Sequence, residues 1–112
     1  MKMIEIDSLR PSGGEVAVFN GFEQEASVSF FIVHIAPGKG PKKHRHPYEE
    51  IFILLDGEIE AVVEDQLQTI GKDRIVIIPA GTWHEFRVCS DSPVSMINLH
   101  PVPKMITEWA SA

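Results

Sequence analysis

Residues 38–57 read GKGPKKHRHPYEEIFILLDG, a stretch with two histidines and two glutamates directly before an apolar run. His44 and His46 are two residues apart, so in an extended segment their side chains point the same way. Both imidazoles can then reach one metal ion at roughly 2.0–2.2 Å. Glu50 follows on the same parity, with Glu49 as the competing carboxylate. The stretch therefore predicts a metal site at the start of a strand.

The Asp56-Gly57 pair separates two apolar runs and predicts a hairpin with a two-residue type I′ turn. Cross-strand partners share a face, so the hairpin would place on one inner face Glu50, Phe52, Leu54, Ile59, Ala61 and Val63. This row directs Glu50 inward and Glu49 outward. A carboxylate among apolar side chains is costly unless it is paired or bound to metal, so the pattern favours Glu50 as a ligand.

A second stretch, residues 79–84, reads PAGTWH and ends at His84. His84 opens an apolar strand in which it alternates with Phe86 and Val88, so it is expected on an inner row as well. A lone histidine at a strand end is more often a surface or hydrogen-bonded residue than a ligand. The His44/His46 pair, Glu50 and His84 together favour ligation of one ion.

Short runs rich in Val, Ile and Phe, bounded by Gly, Pro and Asp, predict an all-β barrel or sandwich. The expected strands are residues 16–19, 27–36, 50–55, 59–64, 68–70, 74–78, 84–89 and 94–99. We expect one domain over residues 1–112, with a barrel core at about residues 14–100 and a short helix in the tail, residues 104–110.

The 112-residue chain carries a formal charge of -6 and has a pI near 5.3. This acidity argues against binding to nucleic acid or an anionic membrane, because phosphates demand a basic surface. The basic run at residues 39–45 is either a solvated loop or a local attraction for an anionic substrate. The single Cys89 excludes an intramolecular disulfide. Residues 1–7 are acidic and lack an apolar core stretch, so we do not expect them to act as a signal peptide. We expect a cytoplasmic protein.

The two stretches resemble the paired motifs of the cupin family. The first motif is a glycine, five residues, H-x-H, three or four residues, a glutamate, six residues and a glycine, and residues 38–57 match it throughout. The second is a glycine, five residues, P-x-G, two residues, a histidine, three residues and an asparagine. Residues 79–84 match its centre, whereas Asp73 replaces the first glycine and Val88 replaces the asparagine.

The resemblance implies a double-stranded β-helix, or jelly-roll, barrel with one divalent transition metal per chain. It implies that the metal ligands are His44, His46, Glu50 and His84. Three imidazoles and one carboxylate leave two open positions on an octahedral ion. Such sites are seen with iron, manganese, nickel, zinc or copper.

Other residues are candidates for roles around the metal. His100 and His34 could act as general bases, because imidazole titrates near neutral pH. The candidates for walls of a substrate pocket are Tyr48, Phe52, Leu54, Phe86 and Met96. Ordinary core packing is the alternative for the apolar members of this set.

These features favour a metal-dependent enzyme, an oxygenase, an isomerase or cyclase, or a lyase, acting on a small oxygenated molecule. The alternatives are a non-catalytic binder of a sugar or carboxylate and a purely structural protein. Residues 50–55 and 74–78 are apolar on both faces and need an outer cover. The N-terminal residues 1–9 are too short to provide it, so we expect a homodimer.

Overall fold

A computed structural model describes residues 1–111, with the backbone alone at Ser12. Two 3₁₀ turns, Ile6–Leu9 and Pro11–Gly13, precede the first strand, and one short helix, α1 (Gly21–Gln24), follows it. The strands are β1 (Val16–Phe19), β2 (Ser29–Ile35), β3 (His44–Arg45), β4 (Glu50–Asp56), β5 (Glu58–Val63), β6 (Gln66–Gly71), β7 (Arg74–Ile78), β8 (His84–Val88), β9 (Val94–His100) and β10 (Glu108–Trp109). Among the described residues, no helix is long and apolar enough to cross a bilayer.

The strands form two five-stranded antiparallel sheets, which together make the double-stranded β-helix barrel that the resemblance implied. One sheet has the order β1-β2-β9-β4-β7, and the other has the order β10-β3-β8-β5-β6. Burial alternates along the central strands, as expected when one face of each sheet looks inward. All eight strands expected from the sequence are present, and β3 and β10 are additional.

The hairpin expected at Asp56-Gly57 is wrong. β4 pairs with β7 and β9, whereas β5 pairs with β6 and β8, so the chain changes sheets at this turn. Gly57 has φ +81°, and a Cβ there would lie 2.8 Å from Val94 Cα, so only glycine fits the crossing. The inner row is nevertheless correct, because the two strands face each other across the interior instead of side by side.

The helix expected in the tail is also wrong. Its residues Glu108 and Trp109 form β10, which pairs with Arg45 and His44 of β3. The Arg45 guanidinium donates two hydrogen bonds of 3.0 Å to the Glu108 carboxylate. Since β3 has only one register pair with β8, its other edge needs a partner, and the tail supplies one.

The two departures from the second motif have simple structural explanations. Asp73 adopts φ +63°, a left-handed conformation that aspartate tolerates better than most residues, and its N–H bonds Leu54 O at 2.9 Å. The turn before β7 therefore keeps the shape that a glycine would give. Val88 is buried in the core, with Ile59 as its register partner.

An exposed apolar patch covers the outer face at the β7 edge of the first sheet. Its members are Ile51, Ile53, Leu55, Ile75 and Ile77. Ile75 and Ile77 are 69% and 61% exposed, and they lie opposite Ile53 and Ile51 in the β4–β7 register. An exposed apolar edge strand promotes association with other protein chains unless another element of the fold covers it. We propose that a second copy of the chain covers this patch through a two-fold contact.

Charging the patch tests the proposed dimer. The double variant Ile75→Glu/Ile77→Glu is expected to halve the mass in solution, because two acidic side chains per chain would meet their copies across the contact. Leu67→Glu is the matched control, since Leu67 is 66% exposed on the edge of the other sheet. Light scattering that gives one mass for the parent and the double variant would contradict the proposal.

Candidate metal centre

Both sheets contribute residues to one site at an end of the barrel. His44 lies on β3 and is the register partner of His84, the first residue of β8. His46 follows β3, and Glu50 is the first residue of β4 in the opposite sheet. One potential ligand atom from each of these four side chains lies within 4.8 Å of the others, and all four residues are buried. The structure therefore brings together the four ligands that the resemblance implied.

Backbone carbonyls determine which nitrogen of each imidazole carries the proton. Nδ1 of His44 lies 2.6 Å from Lys42 O, Nδ1 of His46 lies 2.8 Å from Ile106 O, and Nδ1 of His84 lies 2.8 Å from Thr82 O. A carbonyl oxygen only accepts hydrogen bonds, so each Nδ1 must donate. In the neutral ring, Nε2 then keeps its lone pair, which is the arrangement that metal-binding histidines require.

The Glu50 carboxylate requires positive charge beside these nitrogens. Its Oε1 lies 2.9 Å from His84 Nε2 and 3.1 Å from His46 Nε2. Two lone-pair atoms repel each other at this distance unless a proton or a cation lies between them. His46 Nε2 is buried and has no hydrogen-bond partner among the described residues. The donor set of three imidazole nitrogens and one carboxylate fits a divalent transition metal.

The charge states follow the same contacts. Burial alone would raise the pKa of Glu50, but His100, His46 and His84 outweigh it and hold that pKa far below its usual range. Burial lowers the pKa of His44, which favours the neutral, ligand-competent ring. Burial also tends to lower the pKa of His46, but the contact with Glu50 and the Ile106 carbonyl raise it overall. Without a metal, the His46 ring therefore holds a second proton more readily than an ordinary histidine does.

His100 is buried next to the four residues but has different partners. Its Nε2 lies 3.1 Å from Glu50 Oε2, without the alignment of a hydrogen bond. Its Nδ1 lies 2.6 Å from the Tyr48 hydroxyl, which accepts the Ile106 N–H and lies 3.4 Å from Ile106 O. The hydroxyl can donate to His100 or accept from it, so the His100 tautomer is not fixed as it is in the other three rings.

A cavity of about 440 Å³ opens beside three of the four residues, His44, His46 and Glu50. His44, His46, Glu50 and His100 form its polar end, and the polar residue Asn98 also lines it. Its other walls are largely apolar or aromatic and come from Val16, Phe31, Val33, Ile35, Lys39, Gly40, Pro41, Phe86, Thr107 and Trp109. Of the expected pocket residues, only Phe86 is among those that line it.

The other expected site residues have structural positions. Phe52, Leu54 and Met96 are almost completely buried in the core between the sheets, and Tyr48 packs behind His100. His34 is exposed, because it points outward from β2, and its Nδ1 lies 3.0 Å from Ser95 Oγ. The expectation that His34 serves the site is therefore corrected.

Asn98 and Trp109 are among the lining residues that sequence reasoning missed. Asn98 shares the inward parity of Met96 and His100 on β9, so alternation along that strand could have identified it. Trp109 reaches the cavity only because the tail pairs with β3, and nothing in the local sequence indicates that pairing.

The basic run before His44 is largely neutralised. Lys39 Nζ lies 2.8 Å from Glu15, Lys43 Nζ lies 3.9 Å from Asp65, and Arg45 pairs with Glu108. These contacts favour the interpretation of the run as a solvated, ion-paired surface over that of an anion trap.

The chain belongs to the cupin domain family, whose sequence profile matches residues 31–100. It is 28% identical over 83 residues to the 1-hydroxy-2-naphthoate 1,2-dioxygenase of Nocardioides sp. (strain KP7), covering 71% of this chain and 21% of that protein. It is 26% identical over 96 residues to the polyketide synthase CurC of Streptomyces cyaneus, covering 83% of this chain and 62% of that protein. The chain therefore spans less than two thirds of either curated relative.

Among solved structures, the chain is similar to the oxalate decarboxylase of Lactobacillus farciminis. The TM-score is 0.78 at 21% identity, over 91% of this chain and 33% of that one. At this identity the likeness shows the shared cupin fold. A cupin barrel with a buried group of three histidines and one glutamate is thus established for this chain.

Removal of either His44 or His84 is expected to abolish tight metal binding. His44→Ala and His84→Ala should each weaken the affinity for a divalent metal by roughly 100-fold or more, because each removes one nitrogen ligand. Elemental analysis after dialysis measures the metal content, and circular dichroism checks the fold. His34→Ala is the matched control, since it removes an exposed histidine. Equal metal content in the parent and the His44→Ala/His84→Ala double variant would contradict the assignment.

Metal affinity is expected to fall as the pH falls. The pKa of His46 is raised above its ordinary value of 6.5, so the metal-free ring keeps to a higher pH than an ordinary histidine a proton that the metal must displace. Calorimetric titrations with zinc, in buffers of different ionisation enthalpy, should show proton release near neutral pH. An affinity that is constant between about pH 6 and pH 8, with no proton release, would contradict this linkage.

Proposed function

We propose that this chain is a metal-dependent oxygenase that acts on a small aromatic acid. The observation that carries the proposal is the position of the four clustered residues, three of which lie at one end of a mostly apolar cavity. A divalent ion held there supplies a Lewis-acidic centre with open positions for oxygen ligands. A structural site with a closed ligand shell would not need an adjoining cavity.

The cavity favours a compact and partly flat molecule. Phe31, Phe86 and Trp109 contribute aromatic surface, and Val33 and Ile35 contribute aliphatic surface. A volume of about 440 Å³ suits a molecule of one or two rings. Such walls favour an aromatic substrate whose polar oxygens gather at the histidine end.

The relatives support an acid as the substrate. The Nocardioides relative is named for a reaction with dioxygen on a hydroxynaphthoate, which is an aromatic carboxylate. The Lactobacillus structure is that of a decarboxylase named for oxalate, which is a smaller carboxylate. A metal ion held by these residues would attract a carboxylate oxygen at the polar end, and the apolar walls would exclude water from it.

We expect His100 to accept the proton of the substrate hydroxyl. It is buried beside Glu50, lines the cavity and can change tautomer through the Tyr48 hydroxyl. When its Nε2 is unprotonated, the ring can accept a proton from the substrate hydroxyl, and that proton would relieve the repulsion between Nε2 and Glu50 Oε2, which lie 3.1 Å apart. The Nδ1–H of His100 then donates a hydrogen bond to the Tyr48 hydroxyl oxygen, and the proton of that hydroxyl can turn towards Ile106 O.

Turnover by metal-reconstituted protein tests the proposal. Protein loaded separately with iron, manganese, nickel, copper or zinc is incubated with 1-hydroxy-2-naphthoate and with 2-hydroxybenzoate, with and without dioxygen. We expect oxygen uptake coupled to substrate loss with at least one redox-active metal, and none with zinc. His100→Asn should lower kcat by about 100-fold at unchanged metal content, whereas His34→Ala should leave kcat unchanged.

Two results would contradict the proposed oxygenase. Turnover by the zinc form without dioxygen would favour isomerase, cyclase or lyase chemistry at the same site. Binding of the aromatic acids by every metal form, with no turnover in any of them, would favour a non-catalytic binder.

A further inference from the structure

Asn98 is a buried polar residue with an unsatisfied side chain. It is 7% exposed, and its Oδ1 has no hydrogen-bond partner among the residues that the structure describes. It occupies the inward row of β9 with Val94, Met96 and His100, all of which are buried. Its register partners on the flanking strands, Phe31 and Phe52, have side chains that cannot hydrogen-bond the amide.

An unsatisfied amide at this position is not explained by packing. A leucine has a similar shape, and it would bury the same surface without a polar group to desolvate. Buried polar side chains in folded proteins almost always have a partner, so an exception at a cavity wall indicates a partner that binds there. Asn98 is one of the residues that line the cavity beside the ligand group.

Asn98 lies on β9 one inward position before His100, which borders the ligand group. Asn98 and His100 are alternate residues of one strand, so their Cα atoms are about 6.6 Å apart. His100 lies against Glu50, with Nε2 3.1 Å from Oε2. Asn98 therefore lies one inward position farther from Glu50 along β9 than His100 does, a step about as long as one aromatic ring is wide.

We propose that the Asn98 amide is a second anchoring point, which binds a hydroxyl group on the far side of the substrate ring. This proposal rests on the proposed function for the identity of the ring, and on the unsatisfied amide for the contact itself. The amide can turn about its last torsion and present oxygen or nitrogen, and a hydroxyl both donates and accepts. The substrate class is then an aromatic acid with an additional ring hydroxyl opposite its metal-binding oxygens.

A stability measurement tests the unsatisfied amide without any ligand. In metal-free protein, Asn98→Leu is expected to raise the melting temperature or leave it unchanged, because it replaces an unpaired polar group with an apolar one of similar size. Met96→Leu is the matched control, as Met96 lies on the same row but does not line the cavity. A melting temperature below that of the parent for Asn98→Leu, with that of Met96→Leu unchanged or raised, would overturn the assignment, whatever the substrate is.

A binding measurement tests the anchoring contact. The probes are 2,4-dihydroxybenzoate and 4-fluoro-2-hydroxybenzoate, which differ only in the group opposite the carboxylate. The zinc-loaded parent and the zinc-loaded Met96→Leu variant should each bind 2,4-dihydroxybenzoate about tenfold more tightly than 4-fluoro-2-hydroxybenzoate. Asn98→Leu should bind both probes equally. A preference that persists in Asn98→Leu would overturn the anchoring role, whereas failure of the parent to bind either probe would overturn the proposed substrate class.

Discussion

The site depends on one electrostatic constraint, the buried carboxylate of Glu50. Imidazole nitrogens from His46 and His84 lie within about 3 Å of its oxygen Oε1, and His100 faces its oxygen Oε2. Backbone carbonyls hold the protons of the first two rings on the opposite nitrogen. Lone pairs of nitrogen and oxygen therefore face one another at the centre of the site. A bound cation would offset their repulsion better than any nearby side chain.

Parts of the chain that are distant in sequence orient the side chains around Glu50. The tail is one example, since Ile106 O accepts the His46 Nδ1–H and Ile106 N–H donates to Tyr48. β10 then closes the edge of β3, and the Trp109 ring lies 5.0 Å from the His44 ring. A segment that looks like a surface appendage in sequence thus fixes the orientation of the ligands, which is the usual role of the residues around a metal site.

Much of the fold and the ligand group could be predicted from the sequence, because both depend on short-range patterns. Strand alternation correctly placed Glu50 and His84 on inner rows, and motif spacing selected the four clustered residues. The pairing of strands could not be predicted in the same way. Asp56-Gly57 has the composition of a hairpin turn, but β4 and β5 pair with strands of different sheets, so the turn is a crossing between sheets. The roles of Asn98 and Trp109 likewise depend on contacts between residues far apart in the chain.

Anomalous diffraction from crystals of the metal-loaded protein, recorded at the absorption edge of the bound metal, tests the central claim most directly. The account predicts one peak between His44, His46, Glu50 and His84, with each Nε2 at roughly 2.0–2.2 Å from it. A peak elsewhere would contradict the account. So would metal-saturated protein in which His84 Nε2 still bonds Glu50 directly, with no peak between these side chains.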